Sequence, residues 1–319
     1  MQIHIEYLNW RGKMKSIKIE SLLFILTSIL TFIPSQPATG FDVQQNSSPN
    51  LLIDFLLGDT TGLSDFKVEL NGDSRGFGVF EDDPFRLESG IVLSTGKVNE
   101  IVGINSFDGE NPSFTQDLST DFGTPGEDIT SLVIEFDVSS EKDTLYFQYI
   151  FGSEEFIEYG GSPFNDSFEF LLNGVNLATL TDGRPATINQ LFFDLEPGIE
   201  SETDPYHPDF IYNPVETGSV SNLTKIDGYT RPLLFSGALL QNSRNRLEIK
   251  IQDVRDGIYD SAVFLKAGTF GTVKPPSIVG DGLDGALDDE SNLKVPEPAS
   301  SLGMLFLGGL LLTGLLTRD

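Results

Sequence analysis

A series of short apolar segments, each bounded by turn residues, constrains the fold of this chain most. Residues 145–151 and 168–172 are two such segments, and residues 246–254 alternate apolar and polar side chains with a period of two. Asn173-Gly174 predicts a tight hairpin turn. The body shows no amphipathic pattern of four helical turns. The pattern therefore predicts an all-β fold of about a dozen short strands, an antiparallel β-sandwich with a jelly-roll-like arrangement.

The same alternation predicts which side chains face the core. Further strands are expected at 51–57, 66–70, 76–80, 90–96, 131–138, 175–180, 233–240 and 262–270. Residues 103–130 and 193–231 are rich in polar and turn-forming residues and predict irregular structure. Successive side chains of a strand point to opposite faces. We therefore expect five aromatic side chains to point inward: Phe147, Tyr149, Phe151, Phe168 and Phe170.

Charge and residue usage exclude several functions. The net charge of −28 repels phosphate backbones, so nucleic-acid binding is not expected. The chain has no Cys, which excludes thiol nucleophiles and cysteine zinc sites. Of its two His, His4 lies in a segment that we expect to be removed. A Ser-His-Asp triad would rest on His207 alone, which we interpret as an ordinary loop residue.

The first 40 residues have the layout of a secretory signal peptide. A basic segment begins at Met14, an apolar segment of signal-peptide length covers 22–33, and the small residues Ala38 and Gly40 precede Phe41. Residues 1–13 are interpreted as an upstream extension, with Met14 as a possible start. This layout predicts export by the secretion machinery and cleavage near Gly40. The exported domain is then expected over residues 41–271.

The C-terminal end has the features of a second targeting signal. Residues 272–294 form an acidic, Pro- and Gly-rich linker, and the uncharged residues 299–317 are long enough to span a bilayer once before processing. Pro296-Glu297-Pro298 stands before that run and Arg318 after it. Together, residues 295–319 resemble the PEP-CTERM sorting signal, which implies processing by exosortase. The family usually ends in several basic residues, whereas Arg318 stands alone here; a plain membrane anchor is the alternative.

Four segments in the body carry another resemblance. Residues 89–96 (SGIVLSTG), 147–156 (FQYIFGSEEF), 163–168 (PFNDSF) and 260–264 (DSAVF) follow one another in that order. This pattern is similar to the choice-of-anchor L domain of bacterial surface proteins. The resemblance implies an exported, anchored surface module and assigns it no ligand. Phe156 replaces the Tyr that usually follows Ser-Glu-Glu in the family.

The connection between the two central strands is rich in oxygen donors. Glu154, Glu155, Glu158, Asn165 and Asp166 lie there, and no basic residue occurs between positions 142 and 184. Oxygen donors of this kind suit Ca²⁺, so these five residues are the predicted calcium site. Alternatively, Ser153, Asn165 and Asp166 cap turns through backbone hydrogen bonds while the glutamates are solvated. A third interpretation is a secreted glycoside hydrolase that uses acidic residues of the 153–166 loop.

Taken together, these features predict a non-enzymatic module for binding, adhesion or the extracellular matrix. We expect it in the bacterial cell envelope, at the cell surface or in the matrix. Its expected partners are the export machinery, exosortase, and extracellular polysaccharide or other surface proteins.

Overall fold

The computed structural model describes residues 4–8, 14–18, 40–107, 117–123, 128–192, 206–255 and 257–278. The apolar segment of the predicted signal peptide and the predicted sorting signal lie outside these residues. In the part of the chain that is described, no helix is long and apolar enough to cross a membrane. Near the N-terminus, β1 (His4–Leu8) and β2 (Met14–Lys18) pair as an antiparallel hairpin.

The remaining elements are predominantly strands. Their bounds are β3 (Asp42–Gln45), α1 (Pro49–Leu56), β4 (Leu63–Asn71), β5 (Phe77–Glu81), β6 (Ser89–Ser94), β7 (Ile129–Val138), β8 (Thr144–Ser153), β9 (Ser167–Leu172), β10 (Val175–Asn176), α2 (Ile188–Leu191), β11 (Phe210–Tyr212), β12 (Gly228–Thr230), β13 (Leu233–Ala238), β14 (Ser243–Gln252) and β15 (Ser261–Lys266).

Two antiparallel sheets form the body. The smaller sheet has the strand order β10-β9-β14-β7-β4, and the larger has the order β11-β12-β8-β15-β6-β5-β3, with β13 also paired to β8. The sequence prediction of an all-β antiparallel sandwich is therefore confirmed. Strands β7 and β14 of the smaller sheet and β8 of the larger sheet have ten residues each.

An aromatic layer fills the space between the sheets. The ring of Phe147, on β8, lies 3.9 Å from that of Phe170 on β9 and 4.4 Å from that of Phe235 on β13. All five side chains expected to face inward belong to the main apolar core, and Phe147 and Tyr149 contact rings of the other sheet, which confirms the predicted orientation. Gln148 and Ile150 are buried as well, because β8 is a central strand covered on both faces. This layer holds the ends of β8 and β9 in place.

One predicted strand is wrong. Residues 51–57, expected as a strand, lie mostly in the helix α1. Pro49 occupies the first helical position, where its fixed φ and missing N–H are tolerated. Leu52, Ile53 and Leu56 form its buried face, a helical spacing that a short apolar run cannot distinguish from a buried strand.

The predicted hairpin turn is present, but the strand after it is short. Asn173 and Gly174 both have positive φ, at 52° and 83°, as a two-residue primed turn requires. The strand expected over 175–180 ends at Asn176. The Asn176 side-chain oxygen accepts hydrogen bonds from the backbone N–H groups of Phe170 and Ala178, and this local capping bends the chain away from the sheet.

Candidate functional site: buried carboxylates at one end of the sandwich

Four buried aspartates lie near one another at one end of the sandwich, next to the ends of neighbouring strands. The register pairs Gln252 of β14 with Ser167 of β9 on one side and with Ile129 of β7 on the other. Asp253, Asp166 and Asp128 are each one residue beyond these pairs, so the register places them side by side. In the facing sheet, Asp260 comes directly before β15. We call these four residues, Asp128, Asp166, Asp253 and Asp260, the end cluster; each is at most 3% exposed.

Serine hydroxyls connect the two sheets at this end. The Ser261 hydroxyl donates a hydrogen bond of 2.7 Å to Oδ2 of Asp166, and the backbone N–H of Val254 donates to Oδ1 at 2.9 Å. The hydroxyls of Ser153 and Ser261 are 2.8 Å apart. Asp166 therefore has a fixed position between β9 and β15.

The other three aspartates have oxygens without hydrogen-bond partners. Asp128 accepts the backbone N–H of Phe122 at 2.7 Å, and Asp260 accepts that of Thr120 at 2.9 Å. In each of these two, the second carboxylate oxygen is buried and has no hydrogen-bond partner. In Asp253 this is true of both oxygens.

Burial and mutual repulsion change the acidity of the cluster. Burial, followed by the charges of Asp166 and Asp260, raises the pKa of Asp253 well above its usual range. Thr95 and Asp166 lie close to Asp253 and modulate its pKa, although neither makes a hydrogen bond of normal geometry to it. Burial also raises the pKa of Asp260 to about 7, against the opposing effect of the Thr120 N–H. No lysine or arginine in the described ranges forms an ion pair with Asp128, Asp253 or Asp260.

Two of the three glutamates of the predicted calcium site are buried rather than solvated. Glu154 and Glu155 are buried, and Glu158 is half-buried. Oε1 of Glu154 accepts the backbone N–H of Asp117 at 2.8 Å, and its Oε2 is buried without a hydrogen-bond partner. Burial and then the charge of Asp227 raise the pKa of Glu154 well above its usual range.

Asn165 has a structural role. Its side-chain oxygen accepts the backbone N–H of Asn189 at 2.9 Å, at the start of α2. This tertiary contact orders the backbone at the start of α2, whereas Asp166 belongs to the end cluster. Glu154, Asn165 and Asp166 thus contact different parts of the chain, and the calcium site built from the five residues stays a prediction. Within the described residues, no three His, Asp or Glu side chains already converge closely enough to ligate one ion.

Sequence reasoning missed Asp128, Asp253 and Asp260 as neighbours of Asp166. Asp260 begins the DSAVF segment, and Asp253 lies near the end of the predicted period-two segment 246–254, so each has a local signal as a residue near a strand end. Their proximity depends on which strands pair, and the separate segments do not encode that pairing locally.

A second buried ionic network involves His207. Asp209 is fully buried and accepts hydrogen bonds from Arg231, whose nearest nitrogen is 2.6 Å away, and from the Thr181 hydroxyl. Nδ1 of His207 accepts the Asp209 backbone N–H at 3.0 Å, and its Nε2 lies 3.3 Å from Asp182. The imidazole is thus held by two aspartates, which fits the interpretation of His207 as a structural residue.

The comparisons with known proteins give one match. A family model described as the choice-of-anchor L domain matches residues 41–271, more than two thirds of the chain and the whole of the sandwich. No curated protein and no solved structure matches it. The matched residues include the end cluster and both central strands. The chain therefore belongs to the choice-of-anchor L domain family, and that membership indicates a surface-associated protein.

Proposed function

We propose that this protein is an exported, non-enzymatic module for binding or adhesion that is anchored at the bacterial surface or in the extracellular matrix. In this proposal the N-terminal and C-terminal segments are targeting signals that are cleaved off during export and anchoring. Processing involves the export machinery at the N-terminus and exosortase at the C-terminus. Extracellular polysaccharide or other surface proteins are the proposed binding partners, and Ca²⁺ stabilises the folded domain.

The folded domain begins just after the first predicted cleavage site and ends before the second. This observation supports the proposal best. Phe41, the first residue after the predicted cleavage, is buried and packs at 5.8 Å against the ring of Phe85. At the other end, the Thr272 backbone N–H donates to the Asp59 carbonyl at 2.9 Å. Both predicted cleavages lie outside these contacts, so removal of both segments leaves the sandwich intact.

The accessibility of the carboxylates favours a binding module over the glycoside hydrolase alternative. A glycosidase needs two carboxyl groups that reach the glycosidic oxygen and the anomeric carbon of a bound sugar. Glu154 has the raised pKa of a general acid, but it is only 2% exposed, and its neighbour Glu155 is equally buried. A screen with glycoside substrates tests this alternative directly; turnover that is lost in Glu154→Gln would support the hydrolase.

Intact mass and cell fractionation test the proposed processing. Protein from the native host is expected in the envelope or matrix fraction, with a mass that lacks residues 1–40 and the run 299–317. Glu297→Ala in the tripeptide should retain the C-terminal run, whereas the control Glu290→Ala, in the linker, should be processed normally. Wild-type protein that retains residues 299–317 would make this segment a plain anchor and would contradict the sorting proposal.

A further inference from the structure

The end cluster concentrates negative charge where water does not screen it. Asp253 lies between Asp166 and Asp128 in adjacent strands, and its backbone N–H donates to the Asp128 carbonyl at 3.0 Å. The charges of Asp166 and Asp128 also act on Asp260 across the two sheets. Several carboxylates buried together cannot all keep an unbalanced negative charge. Some of them must bind protons, or a cation must balance their charge.

The unsatisfied oxygens of the cluster are an observation independent of its charge. A buried carboxylate oxygen normally accepts at least one hydrogen bond. Asp253 is 1% exposed and accepts none on either oxygen, while Asp128 and Asp260 each have one buried oxygen without a hydrogen-bond partner. Oxygens in this condition are suited to contact a positively charged group that the protein itself does not provide.

The donor set selects the kind of cation. The cluster offers carboxylate oxygens, and the hydroxyl of Thr120 beside Asp260 is also buried without a hydrogen-bond partner. His207, the one His in the predicted mature domain, is engaged with Asp182 and Asp209. Ca²⁺ takes six to eight oxygen ligands with flexible geometry, whereas zinc prefers nitrogen and sulfur. The donor chemistry therefore fits Ca²⁺.

We propose that the end cluster, Asp128, Asp166, Asp253 and Asp260, holds one Ca²⁺ ion that joins the ends of β7, β9, β14 and β15. This inference rests on the calcium element of the proposed function and changes its location, because only Asp166 belongs to the site predicted from the sequence. The carboxylates do not yet converge, so binding requires the side chains of Asp253 and Asp260 to turn toward Asp166. The ion would thereby connect the two sheets at the end where Ser261 already bridges them.

Gly96 provides a second way to probe the site. A Cβ atom at position 96 would lie 1.7 Å from a carboxylate oxygen of Asp260. The absence of a side chain at Gly96 is thus what allows Asp260 to occupy its place in the cluster. Gly96→Ala should displace Asp260 and weaken calcium binding without removing any ligand atom.

Thermal unfolding of the full-length chain, in chelator and in 10 mM CaCl2 at pH 7.5, tests the inference. Calcium should raise the Tm of wild type by at least about 3 °C, a shift expected for binding well above the Kd in a domain of this size. Asp253→Asn and Asp260→Asn should each abolish the shift, and Gly96→Ala should reduce it. The matched controls Glu154→Gln and Glu158→Gln should keep it, and isothermal titration should give one Ca²⁺ per wild-type chain.

The possible failures are distinguishable. A shift that survives in both aspartate variants but disappears in the glutamate variants would overturn the end-cluster site and return calcium to the 154–158 segment. An identical Tm in chelator and calcium for wild type would overturn both calcium statements, with the cluster neutralised by protons alone. The proposed surface placement would stand in either case, because mass and fractionation test it separately.

Discussion

The middle and the end of this sandwich are equally buried but differ in what their burial does. In the middle, Phe147, Phe170 and Phe235 stack within 4.6 Å of one another, and every contact adds apolar area removed from water. At the end, Asp128, Asp253 and Asp260 are buried with carboxylate oxygens that accept no hydrogen bond. Burial therefore stabilises the fold at the middle and costs free energy at the end.

The comparison shows that burial alone does not identify a structural core. A cluster that costs free energy remains useful if a ligand repays that cost, whereas an apolar layer needs no ligand. The two regions should consequently respond in opposite ways to substitution, pH and cations. Experiments that measure both regions under the same conditions test this contrast.

The largest effect is expected from a truncation in the aromatic layer. Phe147→Ala removes a ring that is 1% exposed and touches rings of two other strands, so it should lower the free energy of unfolding by about 3–5 kcal/mol. Urea unfolding measures this loss. Leu240→Ala is the matched control, because Leu240 is 54% exposed and should change stability by less than about 0.5 kcal/mol. A loss below about 1 kcal/mol in Phe147→Ala would mean that the aromatic layer is not the stabilising core.

A smaller effect of pH should arise from the acidic end. The pKa of Asp260 is about 7 in the folded protein, above its ordinary value of 3.8, so the folded state binds the proton more tightly than the unfolded state. That contribution to stability is present at low pH and is lost as the pH rises through about 7. In chelator, urea unfolding should therefore show wild type to be more stable at pH 5.5 than at pH 8, by about 1 kcal/mol or more.

Two other buried carboxylates act in the same direction as Asp260, because the pKa values of Asp253 and Glu154 are also raised. The pKa values of Asp59, Asp73 and Asp182 are lowered, so their contributions are lost only in more acidic solution. Asp260→Asn should reduce the pH dependence, while Phe147→Ala should keep it, because the aromatic layer contains no group that titrates between pH 5.5 and 8. Stability that rises from pH 5.5 to pH 8 in wild type would contradict the described state of the end cluster.

The two regions also differ in how far the sequence predicts them. The inward positions of Phe147 and Phe170 follow from a period of two, which is a local property of each strand. Residues 51–57 were assigned to the wrong element because a short apolar run fits both a strand and a buried helix. The sequence predicts Asp128 in an irregular segment and Asp253 in the strand 246–254, and only the pairing of β14 with β7 makes them neighbours. Glu158 and Asn165 were grouped with Asp166 because they are close in sequence, yet Asn165 instead caps α2.

We expect the end cluster to oppose folding unless it is neutralised, and the variant Asp253→Asn tests this. The Asp253 side chain makes no hydrogen bond of normal geometry, and Asn cannot carry the negative charge that Asp166 and Asp260 repel. In chelator at pH 8, urea unfolding should show Asp253→Asn to be as stable as wild type or more stable, by up to about 1 kcal/mol. A loss of about 2 kcal/mol or more would show that the Asp253 carboxylate stabilises the ion-free fold, and would contradict the claim.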